Sequence, residues 1–227
     1  MSRPAPSGPA PSVPSAPIGV VRVLTSDDPE AVGAHGRILE RRFGYPTLSR
    51  CIPDQPHGIH DAATERLAEP KIVALARELA DEGARTVIIS CAADPALART
   101  RTALPVPVIG AGSAAAAVAL GLGTRVGVLG ITDEAPPGIR AVLGPHFLGN
   151  LRPRDVRRTT DLLAPHGPEA VLAAATELVA AGADTLLLAC TGLTTIGIRP
   201  LLEARLAVPV VDAVLAAGLM ASYARSP

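Results

Sequence analysis

An internal repeat constrains this sequence more than any other feature. Residues 87–90 lead into Cys91, and residues 186–189 lead into Cys190. Both runs are rich in Val, Ile or Leu and carry no charge, and small or polar residues follow each cysteine, which is how a fully buried parallel strand ends. One offset of 99 residues relates the two cysteines and the helical segments before them. The sequence therefore predicts a duplicated α/β unit with one thiol in each copy.

Strands alternate with helices along the rest of the chain. We expect strands over residues 18–24, 106–109 and 124–131, and a helix that Asp27 or Asp28 caps, that Pro29 begins and that ends near residue 43. This alternation is typical of βαβ crossovers in parallel sheets. The expected fold class is α/β, with two similar Rossmann- or flavodoxin-like lobes related by pseudo-twofold symmetry and a cleft between them. The expected domains are a disordered Pro-rich tail over residues 1–17, a first lobe over 18–107 plus 212–227, and a second lobe over 108–211.

Composition excludes several classes of function. The formal charge is zero and only four residues are aromatic, so neither a phosphate-binding surface nor a base-stacking platform is expected. No stretch approaches the roughly 20 apolar residues that cross a bilayer, and without a secretion signal we expect a cytoplasmic protein. Three distant cysteines indicate free thiols, with no disulfide framework or metal site. The single lysine, Lys71, begins an amphipathic helix, which argues against a pyridoxal enzyme.

Three segments resemble those of the aspartate/glutamate/hydantoin racemase superfamily. They are residues 91–95 (Cys-Ala-Ala-Asp-Pro), 107–110 (Pro-Val-Ile-Gly) and 189–192 (Ala-Cys-Thr-Gly). The Asp-Pro pair is closer to the hydantoin and allantoin racemase branch, whereas in amino-acid racemases Asn-Thr usually follows the first cysteine. The resemblance, which covers nearly all of the chain after the tail, implies a cofactor-independent racemase with a pocket between the halves. It also implies a small-molecule substrate with a carbonyl or carboxylate, and association into homo-oligomers.

The thiols suit this chemistry on physical grounds. Inverting a carbon that bears hydrogen requires a base on one face and an acid on the other, and Cys91 and Cys190 are the candidate catalytic pair. A strand end beside a helix N-terminus is expected to favour the thiolate. Backbone N–H groups there would stabilise the oxygen of the enolate. The candidate substrate-binding residues that supply such N–H groups are Ala92, Ala93, Thr191 and Gly192. Aligning residues 24–27 with residues 130–133 adds three candidates that supply hydroxyls, namely Thr25, Ser26 and Thr132.

Other interpretations stay open at this point. A maleate cis-trans isomerase or an arylmalonate decarboxylase would use the same fold. Gly110, Gly112 and Ala115 satisfy much of a dinucleotide-binding fingerprint, so an NAD(P)-dependent oxidoreductase is a remote alternative, as is a ligand-binding protein without catalysis. Cys51 is expected in a Pro-rich loop that contains a short strand near residues 48–52, and no catalytic role is expected for it. His57 and His60 are expected on the surface or in a loop over residues 45–60 that covers the site, and residues 145–165 are expected to be irregular.

Overall fold

Two parallel four-stranded sheets organise the computed structural model, which describes residues 16–224. The first sheet has the strand order β2-β1-β3-β4 and the second the order β6-β5-β7-β8, with every pairing parallel. The strands are β1 (Ile18–Arg22), β2 (Thr47–Cys51), β3 (Thr86–Ser90), β4 (Val108–Gly110), β5 (Val126–Leu129), β6 (Phe147–Leu151), β7 (Thr185–Leu188) and β8 (Val210–Asp212). The two orders are equivalent, so the expected pair of parallel-sheet lobes is confirmed.

Helices connect the strands. The Asp28 carboxylate accepts a hydrogen bond from the Glu30 N–H at 3.0 Å, and Pro29 is the first residue of α1, as the sequence predicts. The helices are α1 (Pro29–Phe43), α2 (Ala62–Asp81), α3 (Leu97–Ala103), α4 (Ala111–Leu120), α5 (Pro137–Leu143), α6 (Gly167–Ala180), α7 (Thr191–Thr195), α8 (Arg199–Leu206) and α9 (Ala213–Ala224), with 3-10 turns at Gly144–His146 and Thr159–Leu163. Within residues 16–224, no helix combines the length and apolar character needed to span a bilayer.

The core joins the two sheets. Helices α4 and α9 are rich in alanine, contact each other, and contact strands of both sheets. Alternate strand residues such as Ile88 and Leu187 point into this shared layer, while their neighbours face the helices on the outer side of each sheet. Small side chains on α4 and α9 allow close helix packing. The sheets are therefore held in a fixed relation, and α9 packs against α1 and β3 of the first lobe as expected.

Three predictions about segments need correction. Residues 108–110 form β4, which pairs with β3, so the first sheet extends past the predicted lobe boundary at residue 107. Residues 145–165 are not wholly irregular, because β6 lies there and pairs with β5. The division into lobes otherwise stays a prediction. Residues 1–15 of the predicted tail lie outside the described residues, whereas the Pro17 carbonyl accepts a hydrogen bond from the Arg85 N–H at 3.2 Å.

The strand register also corrects the alignment of the two copies. Pairing with β3 places Arg22 beside Ser90, which directly precedes Cys91. Pairing with β7 places Leu129 beside Leu188, and Cys190 follows two residues later. Arg22 is therefore equivalent to Gly130. Matching residues 24–27 with residues 130–133 was wrong by two positions, because polar turn residues resemble one another while only the pairing fixes the register.

Candidate active site

The carboxyl ends of β1, β3, β5 and β7 surround one cavity with a volume of about 340 Å³. Ligand sites in parallel α/β sheets are commonly found at this edge. Cys91 and Cys190 both line the cavity, together with residues from the loop before α2, the turn after β5 and the 3-10 turn at Thr159–Leu163. The cavity is therefore built from both copies of the repeat.

Each cysteine occupies the same local position in its copy. Cys91 follows β3 and opens a tight turn in which the Asp94 N–H donates to the Cys91 carbonyl oxygen at 3.1 Å. Cys190 precedes α7 as its N-cap residue. Cys91 is 8% exposed and Cys190 is 7% exposed, and each packs partly against the outer core of its own sheet. Both nevertheless face the same cavity, and the charge of Cys190 contributes to the pKa of Cys91.

The expectation that these positions favour the thiolate is wrong. Burial raises the pKa of both thiols, because a buried charge loses its hydration. The Ala93 N–H opposes this effect at Cys91, and the N–H groups of Gly192 and Leu193 together with the Thr159 hydroxyl oppose it at Cys190. Ala93 and Gly192 are among the predicted N–H donors, whereas Leu193 is not, and burial outweighs all of these groups. Both thiols are therefore protonated at neutral pH in this structure.

The predicted substrate-binding residues divide into two groups. The cavity is lined by Ala92, Ala93, Thr132, Thr191 and Gly192. The hydroxyls of the two threonines already have acceptors, since Thr132 donates to the Glu134 carbonyl oxygen at 2.7 Å and Thr191 donates to the Ser90 carbonyl oxygen at 3.2 Å. They can still accept a hydrogen bond from a ligand.

Thr25 and Ser26 do not line the cavity. The Thr25 hydroxyl donates to the Ile52 carbonyl oxygen at 2.6 Å and accepts from the Gln55 N–H at 2.7 Å, and the Ser26 hydroxyl accepts from the Asp28 N–H at 3.2 Å. These bonds hold the loop after β1. The corrected register explains the error, because Val23 and Leu24 are the cavity-lining residues at that strand end.

His35 does not line the cavity but contacts two residues that do, Ser90 and Thr195, and the sequence analysis missed it. It is 1% exposed; its Nδ1 lies 2.8 Å from the Ser90 hydroxyl and its Nε2 lies 2.9 Å from the Thr195 hydroxyl. The histidine therefore connects the strand before Cys91 with the helix after Cys190. Burial and then the Arg22 charge lower its pKa well below its usual value, so the imidazole is neutral. Its position on α1, distant in sequence from both cysteines, gave no signal.

Arg22 and Thr159 were also missed. Arg22 ends β1, is 6% exposed and lines the cavity. Its Nη1 donates to the Ala31 carbonyl oxygen at 2.6 Å. The Thr159 hydroxyl lies 3.9 Å from the Cys190 sulfur, and a side chain at Gly192 would collide with the Thr159 methyl group. From sequence alone, an arginine at the end of an apolar strand is expected at the surface, so the burial of Arg22 was not predicted.

The glycines of the dinucleotide fingerprint have a structural explanation. The Asp94 carboxylate accepts hydrogen bonds from the N–H groups of Gly112 and Ser113, both at 2.7 Å, at the start of α4. A side chain at Gly110 would collide with this carboxylate, and one at Gly112 would collide with the Ala92 carbonyl oxygen. Asp94 thus occupies the anion-binding position that a cofactor phosphate would need. The oxidoreductase interpretation is therefore wrong for this motif.

The remaining candidates of the sequence analysis lie as follows. Cys51 is the last residue of β2, which confirms the short strand expected near residues 48–52, and it is outside the cavity lining. Gly58, Ile59 and His60 line the cavity, so the loop before α2 covers it as expected, while His57 is exposed and does not. Among residues 16–224, no group of three or more His, Cys, Asp or Glu side chains is arranged to hold a metal ion.

Comparison with known proteins gives a consistent result. A family model described as Asp/Glu/Hydantoin racemase matches residues 41–221. The structure resembles an allantoin racemase from Klebsiella pneumoniae with a TM-score of 0.79 and 25% identity, covering 92% of this chain and 87% of that one. An allantoin racemase from Pseudomonas fluorescens gives a TM-score of 0.74 at 20% identity, with 91% and 89% coverage. A glutamate racemase from Bacillus anthracis gives 0.65 at 16% identity, with 93% and 82% coverage. A search of the curated proteins finds no match.

Proposed function

This chain belongs to the Asp/Glu/hydantoin racemase family, and we propose that it is a cofactor-independent racemase that inverts a carbon α to a carbonyl with Cys91 and Cys190 as its two bases. Substrates of the hydantoin or amino-acid type fit this chemistry. The observation that carries the proposal is that two thiols, each at the equivalent strand end of its copy, line one cavity. The likeness to an allantoin racemase supports a ring or open-chain ureide as the first substrate class to test.

The mechanism moves one proton on each face of the substrate. Because both thiols are protonated at neutral pH, one cysteine first releases its proton to solvent. The resulting thiolate removes the α-proton and becomes a thiol, and the electron pair of the C–H bond moves onto the carbonyl oxygen to give an enolate. The other thiol then donates its proton to the opposite face and becomes the thiolate. The reverse direction exchanges the two roles. Each turnover therefore leaves the opposite cysteine charged, and a proton exchange with solvent restores the starting state.

The surroundings of the cysteines support both steps. The N–H groups of Ala93, Gly192 and Leu193 act on the sulfur atoms and would stabilise the negative charge that the reaction places there. Because burial raises the pKa of both thiols, a thiolate in this cavity is a stronger base than an exposed one. A stronger base suits the weak acidity of a carbon-bound proton.

The thiols themselves provide the test. The substrate is first identified by incubating the protein with 5-substituted hydantoins, N-carbamoyl amino acids, amino acids and maleate in heavy water without added metal or pyridoxal phosphate. NMR follows α-proton exchange in the first three classes and fumarate formation from maleate. We expect Cys91→Ser and Cys190→Ser to lower racemisation by about 10²-fold or more each, and to retain exchange with at most one enantiomer. Cys51→Ser is the matched control, because this third cysteine lies outside the cavity.

Two outcomes contradict the proposal. Racemisation near the wild-type rate in either cavity variant removes that cysteine from the mechanism. Turnover of maleate, or release of carbon dioxide from an arylmalonate, assigns the cavity to the isomerase or decarboxylase chemistry that the fold also supports. A cytoplasmic location and association into homo-oligomers stay predictions, to be tested by fractionation and by light scattering.

A further inference from the structure

Arg22 is a buried cation without a buried anion. Its side chain reaches from the end of β1 along α1, and among residues 16–224 its hydrogen bonds all come from Nη1, to the carbonyl oxygens of Ala31 at 2.6 Å and Val32 at 3.3 Å. Burial lowers the pKa of Arg22, and the Cys51 thiol, its register partner on β2, opposes this effect, whereas no carboxylate of the described residues forms an ion pair with Arg22. A buried charge is costly unless a partner compensates it. Among the described residues, the groups that face this cation are therefore carbonyl oxygens and a thiol whose own pKa burial raises, and no carboxylate neutralises it.

The cavity around Arg22 is largely apolar. Its walls include Val23, Leu24, Ile59, Ile131 and Leu163. Three carboxylates, those of Asp61, Glu65 and Glu134, also line it, but Asp61 and Glu134 are exposed, where water and salt screen them. Arg22, at 6% exposure, acts in a lower effective dielectric, in which its attraction for an anion is stronger. Glu65, the third carboxylate, is partly buried and raises the pKa of Cys91, so the cavity holds an acidic group as well as Arg22, which, among the described residues, is the one Lys or Arg side chain in its lining.

We propose that Arg22 determines substrate specificity by binding an anionic group, such as a carboxylate, of a substrate whose remaining substituent is apolar. The guanidinium keeps Nε and Nη2 for a planar oxyanion, which it can bind through two parallel hydrogen bonds. β1 is the neighbour of β3, and Arg22 pairs with Ser90, the residue before Cys91. An anion held there is anchored on the strand beside the thiol. The inference rests on the proposed function for turnover, but the binding step is independent of it.

The competing explanation is structural. The hydrogen bonds to Ala31 and Val32 tie β1 to α1, and Arg22 could serve that purpose alone. A structural role predicts that removing the guanidinium lowers stability and weakens every ligand equally. A specificity role predicts that the loss falls on charged ligands. The test must therefore compare ligands that differ only in charge.

Matched acid and amide pairs make this comparison. N-carbamoylvaline, N-carbamoylleucine and N-carbamoylphenylalanine are titrated calorimetrically against the wild type, each beside its primary amide. We expect at least one acid to bind about ten-fold more tightly than its amide, as a hydrogen-bonded charge pair allows. Arg22→Met should abolish this ratio and Arg22→Lys should restore part of it. Arg154→Met is the control, because that side chain is 92% exposed and lies outside the cavity.

Each result decides the inference. It is overturned if no acid binds the wild type more tightly than its amide, or if Arg22→Met weakens acid and amide by the same factor while circular dichroism shows a folded protein. Proton exchange in heavy water, measured in parallel, reports on the proposed function separately. A preserved acid preference with no exchange refutes the racemase but not the role of Arg22, and exchange with no acid preference refutes only the latter.

Discussion

We expect acid to lower the free energy of unfolding of this protein because His35 is buried and neutral, and we expect His35→Gln to remove this effect. The buried imidazole is neutral, and its pKa in the folded state lies well below 6.5. In the unfolded chain the same histidine is protonated below about pH 6.5. The unfolded state therefore binds one more proton than the folded state, and the stability that the neutral imidazole contributes above pH 6.5 is lost as the pH falls below that value.

The magnitude follows from this difference of one proton. The free energy of unfolding should fall by about 1.4 kcal/mol per pH unit below about pH 6.5, until the folded-state pKa is reached. Between pH 6.5 and pH 5 the loss from this one group is about 2 kcal/mol. Ser90 of β3 and Thr195 of α7 are neutral, and the Arg22 charge on β1 disfavours protonation further. The backbone of Thr191 favours protonation, but burial and the Arg22 charge outweigh it.

Urea unfolding from pH 5 to pH 8 measures this effect. We expect the wild type to lose stability over this range and His35→Gln to lose about 2 kcal/mol less between pH 6.5 and pH 5, while being less stable at pH 8 because its contacts to Ser90 and Thr195 are weakened. His166→Gln, at an exposed position, is the control and should follow the wild-type profile. Parallel profiles for the wild type and His35→Gln would refute the reasoning.

Three further predictions concern the turns and the thiols. Gly112→Ala should lower the melting temperature and the activity because its methyl group collides with the Ala92 carbonyl oxygen, whereas Gly138→Ala, with open space around it, should leave both unchanged; equal effects would contradict this packing argument. Alkylation of the two cavity thiols by iodoacetamide should keep accelerating above pH 9, because burial raises their pKa; a plateau below pH 8.5 would contradict it. Hydrogen bonds from the N–H groups of Arg125 and Thr124 lower the pKa of Asp184 to about 2. The contribution of this carboxylate to stability is present above about pH 4 and should be lost between about pH 4 and 2. Acid titration followed by circular dichroism should show this loss in the wild type and not in Asp184→Asn.

The repeat and the alternation of strands and helices predicted the fold because both signals are local. Strands β3 and β7 are short, apolar and followed by a cysteine, and each lies at the centre of its sheet, where both faces are covered. β6 escaped prediction because its sequence, Phe-Leu-Gly-Asn-Leu, contains two poor strand formers. It lies at a sheet edge and is only half-buried. Its sequence therefore lacks the continuous apolar run that marks a strand buried on both faces.

The sequence predicted candidate catalytic residues only where a reactive side chain also occupies equivalent positions in the two copies of the repeat. The two cysteines meet both conditions, and the small residues after them follow directly from the strand ends. Arg22 and His35 meet neither, because their roles depend on contacts between residues far apart in the chain. Thr25 and Ser26 were chosen from a plausible alignment of polar turns. A slip of two residues along a strand end is invisible without the pairing that fixes it.

Arg22 occupies the position in the first copy of the repeat that Gly130 occupies in the second. The backbone therefore has pseudo-twofold symmetry, whereas the side chains that line the cavity do not. Under the proposed role of Arg22, a ligand with a negative end lies in the cavity in one orientation only. The two enantiomers of the proposed substrate then share that pose and differ only in the face that carries the hydrogen. Their interconversion has an equilibrium constant of one, which obliges kcat/KM to be equal in the two directions. The asymmetry of the cavity lining can therefore appear only in kcat and in KM taken separately, and each of these constants can differ between the two enantiomers.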